Sequence, residues 1–473
     1  MDVRRRFLGR KKTASSGGDV DIDTTYSIMY TSSDGNVVTP YSTKVFGANI
    51  TSNTYVNGQG IITFDGPVTA IGYYAFRDCT TLTSITIPDS VTEIEGYAFR
   101  GCTSVQQWTI PFSVTKLSST ALYGCSGELY VHKKTVENNV NSGNYFLYNF
   151  TITRLIIGPE VNRIGNNTFN NCTTLTSVTI SDSVTEIGSS AFEGCSSLTN
   201  ITLGNSITSI GNYAFMHCSN LTSIIIPNSV TSIGSYAFVG CVGKLTVNCN
   251  ILDGTNDNSG WFSGAYFTDI TIGDGVSKIG TYAFSSCKQL QSISISDSVT
   301  DIGDNAFSLT QSLTRVDIFN MSAWCKINFT NQYSAPFQYS PKLYLNNTLV
   351  TDLVIPDDIT EIKNYAFWSV SSLKTVTIHD EVTSIGYTTF NSCKDLDTLT
   401  IGSGVTSIGT RLVNCNQNAV DLYCRAIVPP VCSNADSIFH VTDYKLKVYV
   451  PKGTLNAYKS SPAWDNAPTI LEY

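Results

Sequence analysis

The chain has 473 residues, of which 42% are hydrophobic and 14% are charged, and its formal net charge is -8. This composition suits a folded chain and excludes disorder over its whole length. An acidic chain with no basic face in its body is not expected to bind nucleic acid. No apolar run approaches the roughly 20 residues that span a bilayer, so no membrane insertion is expected.

The first 18 residues form a basic N-terminal tail. Their sequence, MDVRRRFLGRKKTASSGG, begins like the positive region of a signal peptide. The apolar segment of about 7 to 15 residues that follows in a signal peptide is lacking. We therefore expect no encoded signal peptide, and the simplest alternative for this segment is a disordered tail.

A repeat of 23 residues begins at residue 68 with the unit VTAIGYYAFRDCTTLTSITIPDS. Near copies start at Val91, Val114, Val161, Val184, Ile207, Val230, Val276, Val299, Ile359, Val382 and Val405. Three longer intervals, of 47, 46 and 60 residues, interrupt the series. They indicate a divergent coil plus inserted residues near 126–160, 242–275 and 319–358.

Each repeat predicts one coil of a solenoid. Leu82, Ile85 and Ile87 would face inward from a short strand while Ser84 and Thr86 face outward, by two-residue alternation. One coil cannot bury its apolar side alone, so neighbouring coils stack and form the core between them. We expect a mainly β solenoid over residues 68–428. Because strand edges need protection, we expect an N-terminal cap at 19–67 and a C-terminal cap at 429–473.

The pattern VTxIGxxAFxxCxxLTSIxIP resembles the BspA-like leucine-rich repeats of surface proteins from gut and oral anaerobes and some mucosal protists. The resemblance covers residues 68 to about 416. Segments 323–356 and 448–464 also resemble a recurring insert and a recurring C-terminal cap of that family. The resemblance implies a leucine-rich-repeat solenoid with N- and C-terminal caps, and adhesion to host proteins and other cells. A fold alone does not define the partner.

Nine of the 14 cysteines occupy one repeat slot, eleven positions after the repeat start. Parallel side chains in stacked coils make poor disulfide geometry, so we interpret these residues as buried free thiols. Cys424 and Cys432 lie outside the slot, and a disulfide between them stays open. The chain has no CxxC motif and its four histidines are far apart, so no metal site is expected.

Motifs for catalysis and cofactor binding are missing from the sequence. GxSxG, HExxH, GxxxxGK and GxGxxG do not occur in a suitable context. Recurring acidic residues such as Asp89 and Asp182 lie in the turn that leaves each strand, where they satisfy local backbone groups. We therefore predict no catalytic residue, no cofactor and no enzymatic activity.

Candidate ligand-binding residues depart from the polar repeat pattern. Ile225 places an apolar side chain among outward hydroxyls, and Arg315 and Asp317 place charge there. Tyr213 and Tyr236 belong to a tyrosine stripe six positions after the repeat start, and tyrosine suits recognition of protein or glycan. The alternative for the outward hydroxyls is plain solubility, and the alternative for each tyrosine is that its ring covers the neighbouring coil.

Aromatic residues in the interruptions are further candidates, because loops on a rigid scaffold often carry binding residues. They are Tyr145, Trp261, Tyr266, Trp324 and Tyr333. The alternative is that these rings plug the core of an expanded coil.

We interpret the chain as a non-enzymatic adhesion or recognition protein that binds a host protein or glycan. In the first setting it is displayed on a phage particle as a tail or receptor-binding component. Arg4, Arg5 and Arg6 would then dock onto other virion proteins, since the basic head resembles docking peptides of gut-phage tail proteins. The alternatives are a bacterial cell-surface adhesin, and a structural spacer or cytosolic interaction scaffold. The predicted location is the virion or the cell exterior, and the many thiols also permit the cytosol.

Overall fold

The computed structural model describes residues 26–133, 135–136, 146–251, 253–254, 260–414, 419–432, 438–439, 445–464 and 466–473. The chain divides into two compact units, Met1–Cys125 and Ser126–Tyr473. In both units the described residues form mainly short strands, as a solenoid of 23-residue coils requires.

The first unit holds eight strands. They are β1 (Ser27–Ser32), β2 (Ile50–Val56), β3 (Gln59–Phe64), β4 (Ala70–Ile71), β5 (Leu82–Ile85), β6 (Glu93–Ile94), β7 (Gln107–Ile110) and β8 (Lys116–Leu117). The order β2-β3-β1-β5 makes one sheet, and β4, β6 and β8 make a parallel one. Because β1 runs antiparallel along β5 and covers the edge of the first repeat strand, we propose that residues 19–67 act as the N-terminal cap.

The second unit begins with strands that alternate between long and short. They are β9 (Ser126–Val131), β10 (Thr135–Val136), β11 (Thr151–Ile157), β12 (Arg163–Ile164), β13 (Ser177–Ile180), β14 (Glu186–Ile187), β15 (Asn200–Thr202), β16 (Ser209–Ile210), β17 (Ser223–Ile226), β18 (Ser232–Ile233), β19 (Lys244–Val247), β20 (Asp269–Ile272), β21 (Lys278–Ile279), β22 (Ser292–Ile295), β23 (Asp301–Ile302) and β24 (Arg315–Ile318). Long strands pair with long strands and short with short, both in parallel.

The rest of the second unit contains two short helices. Its elements are α1 (Met321–Lys326), β25 (Asn328–Phe329), β26 (Lys342–Leu345), β27 (Thr348–Leu349), β28 (Asp352–Val354), β29 (Glu361–Ile362), β30 (Thr375–Thr377), β31 (Ser384–Ile385), β32 (Thr398–Ile401), β33 (Ser407–Ile408), β34 (Val420–Cys424), β35 (Val431–Cys432), β36 (Leu446–Val450), α2 (Leu455–Lys459) and β37 (Ile470–Glu472). The antiparallel hairpin of β26 and β27 ends one long-strand sheet, and β28 starts a second one. Since β36 and β37 continue that second sheet, the proposed C-terminal cap extends the coil stack.

A ladder of phenylalanine rings lies in the core of the second unit. Adjacent ring centroids are 5.4 to 5.5 Å apart. The rings belong to Phe169, Phe192, Phe215, Phe238, Phe262, Phe284 and Phe307. Phe262 lies in the second interruption, so the divergent coil there supplies the ring that the repeat supplies elsewhere. Ring-on-ring packing of this kind adds to the burial of apolar area.

The cysteine slot has a structural purpose. The thiol of Cys195 donates to the carbonyl oxygen of Phe169 in the preceding coil at 3.2 Å, and the thiol of Cys241 does the same to Phe215 at 3.0 Å. Cysteine is therefore a small apolar residue that also links coils through a weak hydrogen bond.

All thirteen described cysteines are free thiols. The disulfide between Cys424 and Cys432 that the sequence left open is not formed. Cys424 is buried, and its sulfur accepts a hydrogen bond from the Tyr458 hydroxyl at 3.2 Å.

Two positions in most coils have left-handed backbone conformations. At Tyr213 φ is 59° and at His217 it is 62°. This geometry turns both N–H groups toward the next coil, where they donate to the carbonyl oxygens of Ser235 and Val239 at 3.1 and 2.8 Å. The same two positions recur at Tyr74, Asp78, Tyr97, Gly101, Asn167, Asn171, Ser190, Gly194, Tyr236, Gly240, Tyr282, Ser286, Asn305, Leu309, Tyr365, Ser369, Thr388 and Ser392.

Replacement of Leu309 by glycine is expected to stabilise the protein by about 0.5–1 kcal/mol. A side chain at positive φ costs about 1–2 kcal/mol, and the larger entropy of glycine in the unfolded chain offsets part of that gain. Leu309 has a φ of 60° and is 38% exposed, so little burial is lost. The check is the free energy of unfolding in urea. Leu309→Ala, which keeps the Cβ atom, is the control, and an equal gain in both variants would contradict the explanation.

Candidate binding surface

The outward side chains of the long strands from β9 to β26 form one surface, which we call the strand face. Parallel pairing in constant register sets these side chains in two columns. The first column consists of Glu128, Arg154, Ser177, Asn200, Ser223, Lys244, Asp269, Ser292, Arg315 and Lys342. The second consists of Tyr130, Ile156, Thr179, Thr202, Ile225, Thr246, Thr271, Ser294, Asp317 and Tyr344.

The strand face points to solvent because the opposite side of each strand packs into the core. In β17, Ile224 and Ile226 are buried while Ser223 and Ile225 are exposed. Ser and Thr fill eight of the twenty outward positions, and charged or amide side chains fill most of the others; threonine combines good strand propensity with a hydroxyl group. The resulting surface is a rigid array of hydrogen-bonding groups.

Ile225 is the largest departure within the central part of the strand face. Its side chain is 58% exposed, and its register partner on β19 is Thr246. Its branched side chain is thus an exposed apolar group next to a hydroxyl group.

Arg315 and Asp317 lie together, but they are not free charges. The Nε and Nη2 atoms of Arg315 each donate to the Asp317 carboxylate at 2.6 Å. Nη2 also donates to Asn347 at 3.0 Å, and the guanidinium lies 4.0 Å from the Tyr344 ring centroid. The hydrogen bond to Asp317 raises the pKa of Arg315. Asp317 is only 7% exposed, so this cluster mainly holds the β26–β27 hairpin.

Tyr344 and Asn347 were missed by sequence reasoning. The pairing of Asp317 with Tyr344 spans 27 residues instead of 23, because the third interruption lengthens this coil. The signal that could have found them is the alternation of KLYL at 342–345, which matches the alternation of the repeat strands.

Tyr213 and Tyr236 stack with ring centroids 5.5 Å apart and an interplanar angle of 6°. Tyr213 is 40% exposed and Tyr236 is half-buried. Each ring thus covers its neighbour and still shows part of its surface. The pair follows the short strands β16 and β18, whereas Ile225 lies in a long strand, so the two features belong to different sides of the coil.

The aromatic residues of the interruptions are mostly in the core. Trp261 and Trp324 are 6% and 2% exposed, and the Trp324 indole N–H donates to the carbonyl oxygen of Ala366 at 2.8 Å. Neither tryptophan can contact a partner while it stays buried, which corrects their assignment to a binding surface. Tyr333 is half-buried at 6.2 Å from the Trp368 ring, whereas Tyr266 is 48% exposed. Tyr145, Arg4, Arg5 and Arg6 lie outside the described residues.

Asp269 on the strand face is held in its ionised form. Hydrogen bonds from the hydroxyls of Ser292 at 2.6 Å and Thr268 at 2.8 Å lower the pKa of Asp269. On β28, hydroxyls of Thr375 and Thr351 lower the pKa of Asp352 in the same way. A general acid needs the opposite shift.

Metal-binding clusters and membrane-spanning helices are both missing from the described part of the chain. It holds no group of three or more His, Cys, Asp or Glu residues that could bind a metal ion. Its helices are all too short or too polar to cross a membrane.

The stacked coils define the chain as a leucine-rich-repeat solenoid. A family model described as BspA type leucine rich repeat region (6 copies) matches residues 48–142, 140–254, 255–334 and 338–426. The chain therefore belongs to the BspA-type leucine-rich repeat family, and the predicted fold class and resemblance are confirmed. Repeat scaffolds of this family are typically non-enzymatic. No curated protein matches the chain.

Solved structures with a similar arrangement come from several bacteria. A leucine-rich repeat protein of Bacteroides ovatus has 22% identity, covers 89% of this chain and 90% of its own, and gives a TM-score of 0.40. A leucine-rich cell surface protein of Faecalibacterium prausnitzii has 23% identity, with 72% and 83% coverage and a TM-score of 0.29. The pneumococcal vaccine antigen PcpA has 16% identity, with 83% and 87% coverage and a TM-score of 0.27. Such low values carry no argument about a ligand.

Proposed function

We propose that the protein is a non-enzymatic adhesion or recognition protein that binds a host protein or glycan along the strand face. The observation that supports this most is the pair of in-register columns of outward side chains. Side chains carried on strands are held more firmly than side chains on loops, so the surface is preorganised for an extended partner.

Ile225 is the proposed anchor on this surface. It offers apolar area in a column where the adjacent residues, Thr202 and Thr246, offer hydroxyl groups, and a partner would gain most by covering it. Tyr213, Tyr236 and Tyr266 are proposed as secondary contacts because each keeps part of its ring accessible. Arg315 is proposed to contribute only its exposed edge, since Asp317 already neutralises it.

Substitution of Ile225 by arginine is expected to weaken partner binding at least tenfold. The change removes the apolar contact and places a charge that the partner must desolvate. The measurement is binding of the full chain to an array of extracellular matrix proteins and glycans, followed by titration of the strongest partner. The melting temperature should stay unchanged, because the side chain is exposed.

The matched control is Val354→Arg, which makes the same kind of change at an outward position of β28 that is 66% exposed. It lies in the second long-strand sheet, and binding should persist. A partner that binds both variants as tightly as the unmodified chain would contradict the proposal. That result would favour a spacer that contacts its neighbours only through its ends.

For the setting, we propose display on a phage particle, with Arg4, Arg5 and Arg6 docking onto other virion proteins. The concentration of basic residues at the N-terminus of an acidic chain supports this. Mass spectrometry of purified particles is the test. Removal of the protein from intact bacterial cells by added protease would instead support a cell-surface adhesin.

A further inference from the structure

Five tyrosines and two arginines cluster on one side of the first unit. They are Tyr41, Tyr73, Tyr74, Tyr97, Tyr123, Arg77 and Arg100. We call this group the tyrosine–arginine cluster. Tyr74 and Tyr97 stack at 5.5 Å and 11°, and Tyr73 meets Tyr74 edge-on at 4.7 Å. The arrangement presents ring faces, ring edges and phenol hydroxyls together.

The two arginines lie between the rings. The Arg77 guanidinium lies 5.2 Å from the ring centroids of both Tyr41 and Tyr74. Arg100 lies 5.9 Å from Tyr97 and 5.7 Å from Tyr123. Rings at this distance orient a guanidinium without neutralising it, because cation–π attraction leaves its N–H donors open.

The two arginines differ in whether a carboxylate pairs with them. Arg77 forms an ion pair with Asp78 at 3.0 Å. Within the described ranges, Arg100 has no carboxylate partner. The guanidinium N–H groups of Arg100 therefore remain donors from which an anion can accept hydrogen bonds.

Other coils show that folding does not require this arginine. The slot nine positions after the repeat start holds Arg77 and Arg100 in the first two repeats. In later repeats the same slot holds Tyr123, Asn170, Glu193, Met216, Val239, Ser285, Ser308, Trp368 and Asn391. Those coils form equally regular turns, so the arginines serve some purpose other than the turn.

We propose that the tyrosine–arginine cluster binds an acidic carbohydrate. The carboxylate or sulfate of the sugar pairs with Arg100, and sugar rings pack on Tyr41 and Tyr73, which are 64% and 48% exposed. Arginine recognises such anions through two parallel hydrogen bonds, and tyrosine offers an apolar face beside a polar hydroxyl. This inference rests on the proposed recognition function and gives it a site and a ligand class.

An acidic peptide fits the cluster less well. Extended peptides gain affinity from backbone hydrogen bonds to a free edge, and here the N–H groups of Tyr74 and Tyr97 already donate to Gly96 and Thr120. The exposed members are phenols, which suit the many hydroxyls of a sugar.

Titration calorimetry on the full chain tests the proposal. The probes are 3′-sialyllactose for the carboxylate source, a sulfated chondroitin tetrasaccharide for the sulfate source, lactose as the neutral sugar, and a penta-glutamate peptide. We expect one of the two acidic sugars to bind at least tenfold more tightly than lactose and the peptide. Arg100→Met should weaken that binding at least tenfold, and Tyr41→Ala several-fold.

Arg411→Met is the control, because Arg411 is an exposed arginine of the second unit. It should bind as the unmodified chain does. Failure of both acidic sugars, wild-type binding by Arg100→Met at an unchanged melting temperature, or peptide binding equal to sugar binding would each overturn the inference. If binding of a partner is lost only in Ile225→Arg, the proposed function stands and the tyrosine–arginine cluster is not its site.

Discussion

Raising the pH from 8 to above 10 in the presence of reductant is expected to unfold the protein. Burial raises the pKa of four thiols of the second unit, Cys172, Cys287, Cys325 and Cys393, to about 12, from an ordinary value of 9.0. Below pH 9 these thiols are protonated in both states. Above it the unfolded chain loses protons that the folded chain keeps, so stability falls as the pH rises toward 12.

The effect is large because the thiols act together. Each contributes a slope of up to about 1.4 kcal/mol per pH unit, so the four together reach about 5.5 kcal/mol per pH unit. Most domains have total stabilities of about 5–15 kcal/mol. The measurement is the free energy of unfolding in urea between pH 8 and pH 10.5.

Cys393→Val provides the control, because Val370 fills the same slot in the neighbouring repeat and is fully buried. This variant should lose about 1.4 kcal/mol per pH unit of the alkaline slope. A slope that is unchanged by the substitution would show that other groups drive the alkaline transition.

Truncation of Phe192 to alanine is expected to destabilise the protein by about 3–5 kcal/mol. The ring is fully buried and lies 5.4 Å from both Phe169 and Phe215. Its removal leaves a cavity between two coils that the rigid stack cannot close. The measurement is the shift in the urea midpoint at constant slope.

Phe319→Ala is the matched control within the same unit. Phe319 is 47% exposed, so the loss should stay within about 1 kcal/mol, as for ordinary surface substitutions. Similar losses in both variants would mean that the phenylalanine ladder is not a major part of the core.

Regular parts of the fold were predictable from the repeat. The alternation in LTSITIP placed Ile87 in the core and Ser84 and Thr86 on the surface, and the structure agrees. Two-residue alternation is a local property, so a sequence pattern suffices for it. The left-handed position at Tyr213 was not predictable, because tyrosine is a poor choice for positive φ. Its cause is the inter-coil hydrogen bond to Ser235, which no local preference reveals.

The interruptions were the hardest part of the candidate site to predict. Sequence composition left open whether these aromatics bind a partner or plug the core, and in the structure Trp324 packs against Phe329 and Phe337. Whether a ring plugs a coil depends on the volume that the coil leaves open, and composition does not encode that volume. The contacts of Arg315 with Asn347 and Tyr344 likewise depend on a hairpin whose register is specific to this coil.

Constant register along the strand face has a consequence for recognition. In the second column, hydroxyl groups recur from Thr179 to Ser294, with coils about 4.8 Å apart, so a long partner that reads only those groups finds several alignments of nearly equal energy and can slide among them. Ile225 interrupts this translational symmetry. A single apolar side chain therefore selects one alignment of such a partner along the strand face.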